Sequence, residues 1–264
     1  MAGTAGQLDA ARNALRRGGP LLLTASALRF LSDRTMTFAA RRALARRRST
    51  IRTIADAVDT AFAFEDWNVI APNQIRSEIE ALLDLLAKDS PRTVLEIGTA
   101  RGGTLFLLAH VAGADATLVS IDLPYSGPCG NAGYPPAFEP LFASFGREQQ
   151  TIELIRGDSH KDETRASVER ILGQRAVDFL LIDGDHTEAG VRRDFSLYSP
   201  LVRDDGYIAL HDIVPGRPEL SGGVPDFWKE LTASRSTQEF VHDWEQGAYG
   251  IGVIRKTTDY GTAA

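Results

Sequence analysis

Cysteine is almost absent from this chain: Cys129 stands alone in 264 residues. That excludes an internal disulfide framework and a zinc site built from several thiolates, and it fits a reducing compartment, with Cys129 itself unreactive. Long apolar runs are also missing. No stretch reaches the roughly 18 residues needed to cross a bilayer. Arg12, Arg16 and Arg17 precede only the short run Leu21–Leu23, without the small-residue cleavage site of a secretory leader. The chain therefore reads as cytoplasmic. Internal repeats and low-complexity tracts are lacking too.

What is present is unevenly charged. Residues 1–50 hold ten arginines against Asp9 and Asp33, a balance of +8 in a chain whose formal charge is −6, which leaves about −14 for the remainder. In the basic part, arginine alternates with Leu, Phe and Ala at roughly helical spacing. This predicts a helical N-terminal arm over residues 1–74, packed on its own acidic body or on a second subunit, so a homo-oligomer is expected. Peripheral contact with an anionic membrane is the alternative. The acidic body repels phosphate backbones, so nucleic acid is not expected as a partner.

From about residue 91, β-rich apolar segments recur at Thr93–Ile97, Thr117–Ile121, Thr151–Ile155, Val177–Ile182 and Tyr207–Leu210, separated by stretches long enough for helices. This alternation predicts an α/β fold, a doubly wound, mainly parallel sheet that binds ligands beyond the carboxyl ends of its strands. Glu239–Trp244 and Gly250–Arg255, joined by a short Gly-containing turn, predict an antiparallel C-terminal hairpin at one edge. Helical periodicity covers Ile51–Phe64 and Arg76–Lys88, with Pro91 ending the second.

The strand ends carry the chemistry. The first, VLEIGTARGGT, leads through Gly98, Gly102 and Gly103 into an apolar helix, whose free amides favour a negative group. Ala100 occupies the second glycine position of the dinucleotide fingerprint, which weakens a pyrophosphate reading. The second ends at Asp122, twenty residues beyond Gly102, where an acid can accept from both hydroxyls of a ribose. The third ends in Asp158 and Ser159, a carboxylate and a hydroxyl suited to an adenine edge. The fourth stops abruptly in Asp183, Gly184, Asp185 and His186, and the fifth in His211 and Asp212. Carboxylates from two adjacent strand ends can converge on one hard divalent cation. Taken alone, Asp183–His186 is also ordinary loop chemistry, in which Asp185 or Thr187 caps the next helix.

Over roughly residues 75–256 the chain resembles the class I S-adenosylmethionine-dependent methyltransferases, through Glu96, Gly98 and Gly102 in E-x-G-x-x-x-G, Asp122, and the Gly157–Asp158 pair. Its segment IDGDHTEAGVRRDFSLYSPLVRDDGYIALHDI, followed by GGVPDFWKEL, is similar to the metal-dependent branch that includes cephalosporin hydroxylase-like proteins and antibiotic-sugar O-methyltransferases. The resemblance implies a seven-stranded Rossmann-like sheet over residues 75–264. Glu96, Gly98, Thr99, Ala100 and Gly102 would hold the methionine part of the cofactor, Asp122 the ribose, Asp158 and Ser159 the adenine region, and Asp183 would lie beside the sulfonium.

It also implies Mg²⁺ (or Mn²⁺) on Asp183 and Asp212. His211 departs from the acid expected there; it either ligates, tilting the preference toward Mn²⁺, or stands hydrogen-bonded behind the site. Asp185 or His186 would take the proton from the acceptor hydroxyl. No lysine lies between Asp183 and Asp194, which disfavours catechol and favours a diol of a sugar, glycan or natural product. The Gly- and Pro-rich loop LPYSGPCGNAGYPPAFEP is expected as a substrate lid whose Tyr125 and Tyr134 stack on a ring. His110 and Trp228 read as packing residues, and His160 as a loop residue. The alternatives are a noncatalytic nucleoside-binding scaffold, a cephalosporin hydroxylase-like enzyme of other chemistry and, third, a nicotinamide-dependent dehydrogenase.

Overall fold

The computed structural model describes residues 31–64, 69–70, 72–126 and 133–257. Cys129, the first arginines and the middle of the expected lid lie outside the described residues. Seven strands form one sheet in the order β3-β2-β1-β4-β5-β7-β6. The strands are β1 (Thr93–Ile97), β2 (Thr117–Asp122), β3 (Thr151–Arg156), β4 (Val177–Ile182), β5 (Val202–His211), β6 (Thr237–Phe240) and β7 (Ile251–Arg255). β1 to β5 run parallel; β7 is antiparallel to both β5 and β6.

Each central strand divides its side chains between two cores, as the period of two requires. Val94, Phe179 and Leu181 join the core beneath helices α2 (Ile54–Ala63), α3 (Arg76–Leu86) and α4 (Gly103–Val111). Leu95, Ile97, Leu180 and Ile182 join the core beneath α6 (Asp162–Leu172), α7 (Glu188–Tyr198) and α8 (Val224–Thr232). Between α4 and α6 lies the short α5 (Glu139–Phe142). Helix α4 links β1 to β2 and α6 links β3 to β4, so the winding reverses between β1 and β4. A crevice must open there at the carboxyl ends.

The described part of the basic N-terminal segment, from residue 31, packs on the first core. Helix α1, over the described residues 31–47, contributes Ala40 and Leu44 to it. The Arg47 guanidinium lies 5.6 Å from the centre of the Phe64 ring, and Arg48 donates to the carbonyls of Ser144 and Gly146. Thr53 starts α2 with a capping box: its hydroxyl accepts from the Asp56 amide at 3.1 Å, and Asp56 accepts from the Thr53 amide at 2.9 Å.

The C-terminal edge differs from the expected hairpin: β6 begins at Thr237, two residues before the expected start. β6 ends at Phe240, so ten residues rather than a short turn connect it to β7. The physical reason is Glu78 on α3. Its buried carboxylate accepts from the amides of His242 (2.9 Å) and Gly250 (2.9 Å) and from Gln246 Nε2 (2.7 Å), drawing the segment away from sheet pairing.

Candidate active site

Four of the parallel strands, β1 to β4, deliver their terminal residues around a cleft of about 650 Å³, lined among others by Gly98, Ala100, Asp122, Asp158, Ser159 and Asp183. The remaining residues expected at the glycine turn stand behind this wall. Glu96 is fully buried and accepts from the Ser120 hydroxyl, which lies 2.6 Å from Thr99 Oγ1. Burial pushes the Glu96 carboxyl up to about 8, against the lowering effect of the Ser120 hydrogen bond. Gly98 (φ +99°) has no alternative, because a Cβ there would strike the Asp183 carbonyl where β1 and β4 end side by side. Gly102, also left-handed, starts α4 against the Phe142 ring.

Asp122 accepts from the amides of Ala100 (2.9 Å) and Leu123 (2.7 Å), so its carboxylate is held rigidly at the β2 end. At the β3 end, Asp158 accepts from the His160 amide at 2.9 Å, and Ser159 is anchored by its carbonyl, which accepts from the Tyr198 hydroxyl at 2.7 Å. His160 is more than a loop residue: its Nε2 lies 3.3 Å from Asp194, a fully buried carboxylate of α7 pushed up to about 6 by desolvation. Tyr134 is not a free stacking platform. It is buried, with its ring edge-on to Phe142 at 4.8 Å, because residues 134–145 supply an aromatic cluster to the first core.

Beside the cleft, one atom each of Asp183, His186 and Asp212 lie within 4.8 Å of one another. His186 Nε2 is 3.6 Å from Asp183 and 3.4 Å from Asp212, while His186 Nδ1 sits 2.6 Å from the Leu220 carbonyl. Nδ1 must therefore carry the hydrogen, which leaves Nε2 to face the acids. His211 is buried, its Nδ1 3.2 Å from Asp183 Oδ1 and 3.1 Å from Asp212 Oδ2, yet neither ring nitrogen makes an aligned hydrogen bond. Burial opposes charge on His211, but the two carboxylates outweigh it and raise the imidazole to about 10. Burial likewise opposes charge on Asp183, and there His211 and His186 prevail, holding the carboxyl low at about 2.

Asp185 is committed elsewhere. It is exposed, accepts from the Thr187 amide at 2.9 Å, and Thr187 in turn caps α7 by accepting from Gly190 at 3.0 Å. Asp212 and Tyr249 both hold left-handed backbone (φ +62° and +68°), and the Tyr249 amide donates to Asp212 Oδ1 at 3.0 Å. Strain of this kind costs about 1–3 kcal/mol per residue and persists only where the surroundings impose it.

A second cleft of about 640 Å³ lies between α1 and residues 136–141; its charged groups are Arg34 and Arg41, which supply no acid–base pair. His110, with Nδ1 2.8 Å from the Phe106 carbonyl, and Trp228, donating to Glu239 at 2.7 Å, are packing residues.

Residues 95–213 match the family model described as a methyltransferase domain. These residues carry a methyltransferase domain. The fold is shared with O-methyltransferases of known structure. The O-methyltransferase TomG of Streptomyces achromogenes, involved in tomaymycin synthesis and solved with the methyl donor, is 19% identical with a TM-score of 0.56, over 76% of this chain and 89% of that one. A Bacillus cereus O-methyltransferase in complex with S-adenosylhomocysteine is 16% identical with a TM-score of 0.51, over 83% and 97%. At these identities the likeness is one of fold. An uncharacterized protein of Acanthamoeba polyphaga mimivirus is 29% identical over 159 residues, 60% of this chain and 68% of that protein.

Proposed function

We propose that this methyltransferase methylates a hydroxyl of a small molecule bearing neighbouring oxygens, such as a sugar, glycan or natural-product diol, with a divalent cation at its acidic centre. The observation that carries this reading is the meeting of Asp183, Asp212, His186 and His211 beside the donor cleft. The donor set fits a cation. Two carboxylates and an imidazole whose buried nitrogens lack aligned partners suit Mn²⁺ or Mg²⁺. Asp183, Asp212 and His211 would hold the ion. When bound, it lowers the pKa of a coordinated hydroxyl and fixes that oxygen.

The chain's own share of the reaction is positioning and proton removal. Ala100 and Leu123 hold Asp122 for the ribose, and Asp158 with Ser159 border the adenine end. His186 takes the acceptor proton at Nε2, since Nδ1 is engaged by Leu220 and the ring is partly exposed, whereas Asp185 is tied into the α7 cap. The role of TomG in natural-product synthesis is in keeping with a small-molecule acceptor, by analogy of fold only.

Calorimetry with S-adenosylmethionine, S-adenosylhomocysteine and NAD, with and without Mg²⁺ or Mn²⁺, tests the reading, together with turnover on a diol panel. Asp183→Ala should abolish metal-dependent turnover and spare homocysteine-product affinity; full activity in that variant refutes the metal role. His186→Ala should keep Mn²⁺ binding while losing turnover, and loss of the ion there would exchange the roles of the two histidines.

A further inference from the structure

Gln74 enters the acidic centre from outside the strand ends, on the segment just before α3. The residue is 8% exposed, and its Nε2 faces Asp183 Oδ2 at 3.5 Å. Only the NH₂ end of an amide can face a carboxylate without repulsion, so this orientation is chemically determined. The other Asp183 oxygen, Oδ1, is the one turned toward His186 and His211. Gln74 Oε1, in contrast, is buried without any hydrogen-bond partner. An amide that satisfies only one end is a poor structural filler, because an apolar side chain of the same length would occupy the space without stranding a buried acceptor. Its one productive contact is with Asp183.

We propose that Gln74 is a positioning residue of the acidic centre. By donating to Asp183 Oδ2 it dictates which carboxylate oxygen is presented to the cation. This rests on the divalent-cation reading above. Nothing in the sequence around Gln74 marks it, since it sits in an irregular segment rather than at a strand end.

The test is Mn²⁺ binding to the full chain, followed by electron paramagnetic resonance without donor or acceptor, in the parent, Gln74→Met and Asn73→Ala. Gln74→Met keeps the length and removes the donor. It should raise the Mn²⁺ dissociation constant roughly tenfold, as loss of an outer support of a metal ligand does, with S-adenosylhomocysteine affinity unchanged and the melting temperature equal or higher. Asn73→Ala, a neighbour whose Oδ1 faces the Tyr249 hydroxyl at 3.5 Å, should leave Mn²⁺ affinity as in the parent. Parent-like Mn²⁺ affinity in Gln74→Met, or equal weakening in both variants, overturns the role of Gln74 alone. A parent that binds no Mn²⁺ overturns the cation reading together with it.

Discussion

Glu96 shows how one buried group can shape the pH response of the protein. In the unfolded chain it ionises near 4.5, whereas in the fold it keeps its proton to about 8. A raised folded pKa contributes stability fully below 4.5, and that contribution is lost as pH rises toward about 8, after which it levels off. Urea unfolding at a series of pH values should show this decline, on the order of a few kcal/mol, and Glu96→Gln should flatten it. An unchanged slope in the variant would mean that Glu96 is already ionised in the fold. Asp183→Ala belongs to the same scale, since its predicted effect, loss of turnover with product affinity intact, follows from one carboxylate between two imidazoles.

Elements matter because they carry groups to places that their own sequence does not announce. Helix α3 brings Glu78 under the segment between β6 and β7, where three donors converge on its carboxylate. That segment presents the Tyr249 amide to Asp212. Glu78→Ala should therefore cost on the order of 3 kcal/mol in chemical denaturation, because three donors, one buried and two partly buried, lose their acceptor, and it should weaken Mn²⁺ binding through the loosened Asp212. Denaturation midpoints and Mn²⁺ titration on the same preparation would check both. Stability loss with unaltered Mn²⁺ affinity would sever the link from α3 to Asp212.

The whole molecule answers to its cleft. A ligand that binds only the folded state adds stability by mass action, about 2.7 kcal/mol at a hundredfold excess over its dissociation constant. S-adenosylhomocysteine should raise the thermal midpoint in a concentration-dependent way, and NAD at equal concentration should not. The reverse ranking would move the cleft to dehydrogenase chemistry. Charge at this scale is split between a basic N-terminal part and an acidic body, and α1 is packed onto that body through Ala40, Leu44, Arg47 and Arg48. Among the described residues, no helix is long and apolar enough to cross a membrane.

Local pattern was enough for the strands of the parallel sheet and for the order of their ends, because the period of two and the βαβ alternation are written in consecutive residues. It placed Gly98, Asp122, Asp158, Asp183 and Asp212 at carboxyl ends, and the fold seats each of them there. It overran β6 because Val241–Trp244 has strand-like composition, while the acceptor that diverts the segment, Glu78, lies more than 160 residues earlier. Only the tertiary structure ties Asp185 to the Thr187 amide at the start of α7 and turns His186 toward Asp183 and Asp212, and it alone brought Gln74, Tyr249 and the Asp194–His160 pair to the strand ends. Those contacts join residues distant in the chain through sheet order and helix packing, which no periodicity within a segment encodes.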